Sequence, residues 1–429
     1  MKNIKFIISF LILIMASLLS HGQKNETSFL LTELHIFTGT GTIIENGAVG
    51  VKNGLIDYVG ATNSAVTKNY LEVISKSGMN LYPGFIAMNT TIGLTEIDAV
   101  RATRDFRETG DMNPNVRAIS AYNAESEIGE TILANGILFA QIAPRGGTIK
   151  GSSSVIKLQG DNWEDAAYKS DEGIVMDWPK MFKIKGDDDD PQGYEPDENY
   201  VKNLAAIEAF FVKSEAYSKN TIPVERDLRM EAMRGIFDGS KRLYISADFI
   251  KEIREIVAFK RKYNIKKLSI IGGYDSWMAA DLLNENEISI LLQRVNSLPQ
   301  LAEDALDASY TLPTKLAAAG VKFCFTMDGS METMQNRNLT FNIGTAIGYG
   351  LNPNTALTAA TLHPAEILGI GERTGSIETG KEANFVLTTG DIFDMRTAKI
   401  AGLYLNGRLI NLETRQERLY KKYSQRYTE

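Results

Sequence analysis

The sequence contains a single cysteine, Cys324, among its 429 residues. An intramolecular disulfide is therefore excluded, and the fold has to be stabilised by packing. Cys324 stands inside the apolar run VKFCF, so we expect its side chain to be buried. The sequence has no histidine close to Cys324 and no GxSxG elbow, so neither a cysteine nor a serine nucleophile is indicated.

Histidine is almost as scarce as cysteine, with His21, His35 and His363 in the whole chain. A hydrolytic zinc site usually takes two or three histidines, because neutral imidazole leaves the metal acidic enough to activate water. His21 lies near the amino terminus, His35 in the alternating run ELHIFTG, and His363 at the start of HPAEILGI. We interpret His35 and His363 as structural residues.

Long apolar runs are also missing, except at the amino terminus. Lys2 and Lys5 precede an apolar run over 6–19, and the small residues Ser20 and Gly22 follow it. The run is shorter than the roughly 20 residues that span a bilayer. We expect residues 1–22 to be a signal peptide cleaved near Gly22, and the mature protein to be exported, periplasmic or secreted, without a membrane span.

The charge balance is acidic, with a formal net charge of -7 that becomes -9 when Lys2 and Lys5 are removed with the signal peptide. This sign argues against a nucleic-acid partner. The acidity is densest in an insert over 185–200, where four adjacent aspartates are followed by Pro191 and Pro196. We predict a solvated loop there, with calcium binding as the alternative because oxygen ligands are dense.

Two kinds of periodicity divide the chain. Short alternating runs with Asn-Gly turns occur near both ends and predict one β-sandwich domain composed of 23–82 and 366–412. Between them, over 83–365, apolar strands alternate with amphipathic helices, which predicts an α/β fold with a (β/α)8 TIM-like barrel. Residues 413–429 are predicted to form a helical tail with Leu419, Tyr420, Tyr423 and Tyr427 on one face.

Several motifs resemble those of the amidohydrolase superfamily, in its imidazolonepropionase-like branch. They are VKNGLIDYVG, YPGFIAMNTTIGL, TMDGS, NRNLTFNIGTAIGYGLNPNTALTAATLHPAEILGI and TGSIETGKEANFVL, and they extend over most of the chain. The resemblance implies a β-sandwich next to a metal-dependent hydrolase barrel that acts on carbon-nitrogen bonds. It also implies a divalent metal held by histidines on the first, fifth and sixth strands and by an aspartate on the eighth.

At the positions that correspond to those ligands, this sequence departs from the family pattern. The first-strand pair falls on Asn89 and Thr91, the fifth-strand ligand near Ser246, and the sixth-strand ligand near Ile271. The aspartate of the eighth strand is kept as Asp328. An amide, a hydroxyl or an alkyl group cannot replace imidazole without losing most of the metal affinity, so we expect no metal cofactor.

Two further segments contribute polar groups near the predicted barrel mouth. EIDAVRATRDFRETGD, residues 96–111, has charged residues at spacings of three and four, which are typical of helical ion pairs on a solvated face. APRGGTIKGSSS, residues 143–154, contains Arg145 and can be either a mobile loop that presents amides to an anion or a plain hairpin. We count Arg145 with Asn89, Thr91, Ser246 and Asp328 as the candidate binding pocket.

Three hypotheses follow. The first is an exported amidohydrolase-family protein that has lost its metal centre and binds a small-molecule or peptide-like ligand. The second is an atypical hydrolase of peptide-like or other C-N bonds, in which Asp328 acts as base with zinc or another divalent metal. The third is a subunit that assembles with itself or with a metal-bearing relative.

Overall fold

The computed structural model describes residues 27–186, 191–220, 225–301, 303–329, 331–411 and 413–427. The predicted signal peptide and the four adjacent aspartates, 187–190, lie outside the described residues.

The described residues form eighteen strands and twelve α-helices, joined by loops and short 3₁₀ turns. The strands are β1 Ser28–Phe37, β2 Ile43–Lys52, β3 Leu55–Ala61, β4 Glu72–Ser75, β5 Asn80–Pro83, β6 Phe85–Thr90, β7 Ile137–Ile142, β8 Ile149–Lys157, β9 Ala167–Asp177, β10 Phe182–Gly186, β11 Pro191–Pro196, β12 Arg242–Ala247, β13 Leu268–Gly272, β14 Ser289–Leu292, β15 Phe323–Phe325, β16 Phe385–Thr389, β17 Lys399–Leu405 and β18 Arg408–Leu409. The helices are α1 Glu127–Leu133, α2 Trp163–Ala166, α3 Tyr200–Ser218, α4 Leu228–Asp238, α5 Ile250–Lys262, α6 Ala280–Glu285, α7 Ala308–Ala318, α8 Glu332–Gln335, α9 Leu339–Gly348, α10 Pro353–Ala360, α11 Leu362–Ile367 and α12 Arg415–Ser424.

The barrel is an eight-stranded sheet in the order β6, β7, β8, β9, β12, β13, β14, β15. A parallel bridge between Met88 and Thr326 joins its first and last strands, so the sheet is nearly closed. The strands β6, β7, β13, β14 and β15 are largely apolar and buried, as expected where both faces of a strand are covered. The predicted TIM-like barrel is confirmed, and the carboxyl ends of β6 and β15 meet at its mouth.

The front half of the barrel departs from strict strand-helix alternation. β8 runs antiparallel to both β7 and β9, whereas β9, β12, β13, β14 and β15 run parallel to one another. The loop between β7 and β8 is only 143–148, too short for a parallel crossover. Of the two alternatives for residues 143–154, the hairpin is therefore the structure.

The second sheet combines strands from the amino-terminal and carboxyl-terminal parts of the described chain. Its order is β18, β17, β16, β5, β1, β2, β3, with β4 paired to β1. The strand β5 pairs with β16 in antiparallel register, Tyr82 opposite Val386. The sheet has its own apolar core, which includes Leu31, Val49 and Phe385. A strand-rich domain built from both ends is thus confirmed as one continuous sheet.

Two of the sequence predictions were wrong. Segment 96–111 is not helical: it contains one 3₁₀ turn, Arg101–Thr103, and an antiparallel bridge between Thr95 and Arg104. The predicted loop at 185–200 includes most of a two-stranded hairpin, β10 with β11, and the first residue of α3. In both cases, contacts between neighbouring extended segments outweigh the local spacing of charged residues.

The carboxyl-terminal tail forms the helix α12, which begins with a capping box at Thr414 and Glu417. It contacts α1 through ion pairs, Arg415 with Glu127 and Arg418 with Glu130. In the part of the chain that the structure describes, no helix combines the length and apolar character needed to cross a membrane.

Candidate functional site

The barrel mouth brings two of the predicted site residues into direct contact. Asn89 lies near the end of β6, and Asp328 lies three residues after β15. The Asn89 Nδ2 atom donates a hydrogen bond to Asp328 Oδ2 at 3.2 Å. Asp328 is only partly buried, and its other oxygen accepts from the Gly329 N–H at 3.0 Å. The retained carboxylate therefore faces the mouth while it is held from two sides.

Arg145 joins the same cluster from the loop after β7. Its guanidinium donates to the Asn89 side-chain oxygen at 2.9 Å and to the Asn89 carbonyl at 2.7 Å. Both bonds are possible because Asn89 adopts φ 53°, a left-handed conformation that turns its carbonyl toward the mouth. The predicted residues Asn89, Arg145 and Asp328 thus form one hydrogen-bonded chain.

Glu332, which the sequence analysis missed, connects Thr91 to this chain. Its Oε1 accepts from the Thr91 N–H at 2.8 Å and from the Thr91 hydroxyl at 2.6 Å, and lies 3.7 Å from Arg145 Nη2. Its Oε2 accepts from Asn336 Nδ2 at 3.1 Å. The sequence did offer one signal for this role, an acidic residue four positions after Asp328 at the start of α8.

Burial dominates the electrostatics of Glu332, whose residue is only 8% exposed. Desolvation raises the pKa of the Glu332 carboxyl, and the Arg145 guanidinium and the Thr91 hydrogen bonds oppose that rise. The negative charge of Asp328 acts in the same direction as burial. Arg145 is consequently the cation that compensates the buried Glu332.

A second buried network supports Asn89 from below. The Asn89 N–H donates to Gln141 Oε1 at 3.0 Å, and Gln141 Nε2 donates to Glu172 Oε1 at 2.7 Å. Glu172, 3% exposed, also accepts from Ser153 at 2.6 Å and from the Tyr244 hydroxyl at 2.9 Å. Because each of these polar groups is paired, the strand ends are fixed in one arrangement.

Asp248 is a further mouth residue that the sequence analysis missed. It directly follows β12, a position where barrel side chains face the mouth. Burial raises the pKa of its carboxyl, and the nearby charge of Asp328 adds to that rise. Its oxygens lie 3.5 Å from Gln293 Nε2, and one accepts from the Tyr274 N–H at 3.4 Å.

The remaining predicted positions lie beside the cluster. Ser246 stands near the end of β12, in register with Asp177 on one side and Ile271 on the other. Its carbonyl accepts from the Trp178 N–H at 3.0 Å. Within the described residues, no hydrogen bond joins the Ser246 side chain to Asn89, and Ile271 contributes only a buried alkyl group.

These residues do not fit a divalent metal of the family's kind. Asn89, Thr91, Ser246 and Ile271 provide an amide, two hydroxyls and an alkyl group instead of imidazoles. The Asn89 oxygen that could face a metal already accepts from the Arg145 guanidinium, whose positive charge repels a second cation. Across the described ranges, no group of three or more His, Cys, Asp or Glu residues could hold an ion.

The two histidines of the described chain lie away from the mouth. His363 Nδ1 is 2.9 Å from the Phe323 carbonyl, at the amino end of β15, and burial lowers the pKa of its imidazole. His35 stacks on Phe37 in the second sheet, with ring centroids 4.5 Å apart. Cys324 is fully buried, as predicted.

Comparison with known proteins shows similarity to amidohydrolases. The model of the amidohydrolase family matches residues 244–410. Imidazolonepropionase from Flavobacterium psychrophilum is 26% identical over 156 residues, covering 32% of this chain and 38% of the relative. The same enzyme from Thermoplasma volcanium is 29% identical over 155 residues, covering 35% and 38%. The chain therefore matches less than half the length of these curated relatives.

A solved structure extends the fold similarity over nearly the whole chain. An amidohydrolase from Thermotoga maritima superposes with a TM-score of 0.77 at 24% identity, covering 90% of this chain and 100% of that one. The family model over residues 244–410, the curated relatives over part of the chain and the fold over nearly all of it agree in their similarity to amidohydrolases.

Proposed function

We propose that this protein is a non-catalytic amidohydrolase-family member that binds a small-molecule or peptide-like ligand at the barrel mouth. One observation carries the proposal. At the strand end where the family's first metal ligands fall, Asn89 is bonded twice to the Arg145 guanidinium. A fixed internal cation is thus connected through Asn89 to the retained Asp328.

This arrangement suits recognition better than hydrolysis. In metal-dependent hydrolases a carboxylate takes a proton from a water that the metal has made acidic. Here the residues around Asp328 are an amide, a guanidinium and a buried acid, none of which lowers the pKa of water in that way. Their donors and acceptors can instead orient a polar ligand.

Elemental analysis of the purified protein tests the proposal, with Asp328→Asn as the matched variant. After incubation with zinc and manganese and removal of excess ion, we expect no near-stoichiometric metal that depends on Asp328. One transition-metal ion per chain in the natural protein, lost in Asp328→Asn, would overturn the proposal because that ion would be seated in the barrel.

A second candidate function, an atypical hydrolase of peptide-like or other C-N bonds, is favoured by the pair Asp248 and Asp328. Their environments differ, since burial raises the pKa of Asp248 while Asp328 is more exposed. Two carboxyls in different environments can serve as acid and base.

A screen of dipeptides, N-acyl amino acids and cyclic ureides, with and without added divalent metal, distinguishes the two candidates. Under the hydrolase hypothesis, turnover should be abolished by both Asp248→Asn and Asp328→Asn. Turnover that survives both substitutions would come from another site or from contamination. Absence of turnover in the natural protein supports the binding function.

Export is part of the same proposal and rests on the sequence of residues 1–22. Expression of the full chain in a bacterial host, followed by fractionation and amino-terminal sequencing, is the test. We expect a mature protein that begins just after Gly22 in the periplasmic or secreted fraction. An uncleaved chain that stays with the cytoplasmic fraction would contradict it.

A further inference from the structure

A cleft of about 780 Å³ lies beside the barrel mouth and is lined by three arginines, Arg101, Arg104 and Arg107. We call it the arginine cleft. All three side chains are exposed. In the described part of the chain, none of the three forms an ion pair, although arginines nearby do, such as Arg117 with Asp171. On a chain of net charge -7, three such guanidinium groups concentrate positive potential in one place.

The segment that carries these arginines is held on the barrel by main-chain hydrogen bonds. The Arg145 N–H donates to the Phe106 carbonyl at 2.6 Å, and Ile149 N–H donates to the Asp111 carbonyl at 2.8 Å. A third bond runs from the Asn113 N–H to the Ile149 carbonyl at 2.8 Å. The cleft is therefore built on fixed backbone and not on a free loop.

A single glycine allows the close approach of the two segments. Gly147 adopts φ +75°, and a Cβ added there would lie 2.7 Å from the Gly110 carbonyl oxygen. Any side chain at this position would force the two backbones apart. The floor of the arginine cleft thus depends on glycine at position 147.

The other charged groups in the lining are two acids, Glu108 and Asp111. The Glu108 carboxylate accepts from the N–H and the hydroxyl of Thr109, at 2.8 and 3.1 Å, and these bonds lower its pKa. Three guanidinium groups against these two carboxylates leave the lining with a formal charge of +1. Phe106 packs near Arg104, with the guanidinium carbon 6.0 Å from the ring centroid, and adds an apolar surface.

We propose that the arginine cleft binds a small polyanion that carries two or more carboxylate or phosphate groups. Planar guanidinium groups match both kinds of anion in a bidentate geometry. The volume falls in the range of small-molecule sites, roughly 300–1,000 Å³. This inference goes beyond the proposed function of the mouth and holds whether or not the barrel has hydrolytic activity.

Calorimetric titration of the full protein tests the inference with two probes, pyrophosphate and citrate, in metal-free buffer at low salt. The variants are Arg101→Gln, Arg104→Gln and Arg107→Gln, singly and together. The matched control is Arg396→Gln. Arg396 is exposed, pairs with Asp394 and is far in sequence from the arginines of the cleft. Thermal unfolding of each variant confirms that it remains folded.

We expect saturable binding of at least one probe, weakened about tenfold by each substitution in the cleft, since one charge-assisted hydrogen bond is worth roughly 1.5 kcal/mol. The triple variant should lose binding, Arg396→Gln should bind as the natural protein does, and added salt should weaken binding. Preference between the two probes tells phosphate from carboxylate ligands. Absence of saturable binding, or equal weakening by Arg396→Gln, would overturn the inference.

Discussion

Replacing Arg145 with methionine should lower the free energy of unfolding by about 3 kcal/mol at pH 7.5. Methionine keeps the apolar stem, so the loss comes from the guanidinium. Two charge-assisted hydrogen bonds to Asn89 disappear, and each is worth roughly 1.5 kcal/mol. At roughly 2 °C per kcal/mol for a large domain, the unfolding temperature should fall by about 6 °C, measured by calorimetry or circular dichroism.

The effect should depend on pH because of Glu332. Its folded-state pKa is raised above the ordinary value of 4.5, so the folded protein binds more protons than the unfolded chain between those two pKa values. Stability therefore falls as pH rises through that window. Without Arg145 the pKa of Glu332 should rise further and widen the window, so Arg145→Met should be more destabilising at pH 8 than at pH 5.

A double-mutant cycle with Glu332→Gln isolates the charge interaction. Glutamine keeps the shape and removes the buried charge, so Arg145→Met should cost less in the Glu332→Gln background than in the natural one. The exposed Arg396→Met is the control and should unfold as the natural protein does. An unchanged unfolding temperature for Arg145→Met, or the same loss in both backgrounds, would refute this account of the mouth.

Three further outcomes are expected. Tyr244→Phe should cost about 2 kcal/mol of unfolding free energy, because it removes a donor to the buried carboxylate of Glu172; a loss below about 0.5 kcal/mol in urea melts would contradict this. Gly147→Ala should lower the unfolding temperature and also weaken anion binding, because the added Cβ meets the Gly110 carbonyl. Gly380→Ala is the control for backbone strain alone, since Gly380 is also left-handed but a Cβ there would meet no neighbouring atom. Burial lowers the folded-state pKa of His363, so the natural protein should lose stability as the pH falls below 6.5. His363→Gln should reduce this dependence of the unfolding free energy on pH. An unchanged slope would count against that role.

The back half of the barrel could be predicted from the sequence because its signals are local. Each of the strands β12 to β15 is an apolar run followed by a loop or an amphipathic helix. The predicted strand 241–247 is observed as Arg242–Ala247, and the helix after it buries Ile253 and Ile256, as its period indicated. The motifs that resemble those of the amidohydrolase superfamily also indicated the order of the domains along the chain.

The front half and much of the site could not be read in this way. The direction of β8 depends on pairing with β9, whose register is set by contacts between separate segments. The spacing of charged residues over 96–111 does not distinguish a helix from the observed extended segment, which runs along the loop after β7. Glu332 gains its role from Thr91, 241 residues away, and no local pattern marks that contact.

The strand β5 has a consequence for biosynthesis. The Asn80 side chain donates to the Gly390 carbonyl, 310 positions further along the chain, and β5 pairs with β16 in the same region. At about 5–20 residues per second, a ribosome needs roughly 15 to 60 s to supply that partner strand. During this time the early strands expose an unpaired edge. We therefore expect a nascent chain to benefit from a chaperone that covers this strand edge until its last fifty residues emerge.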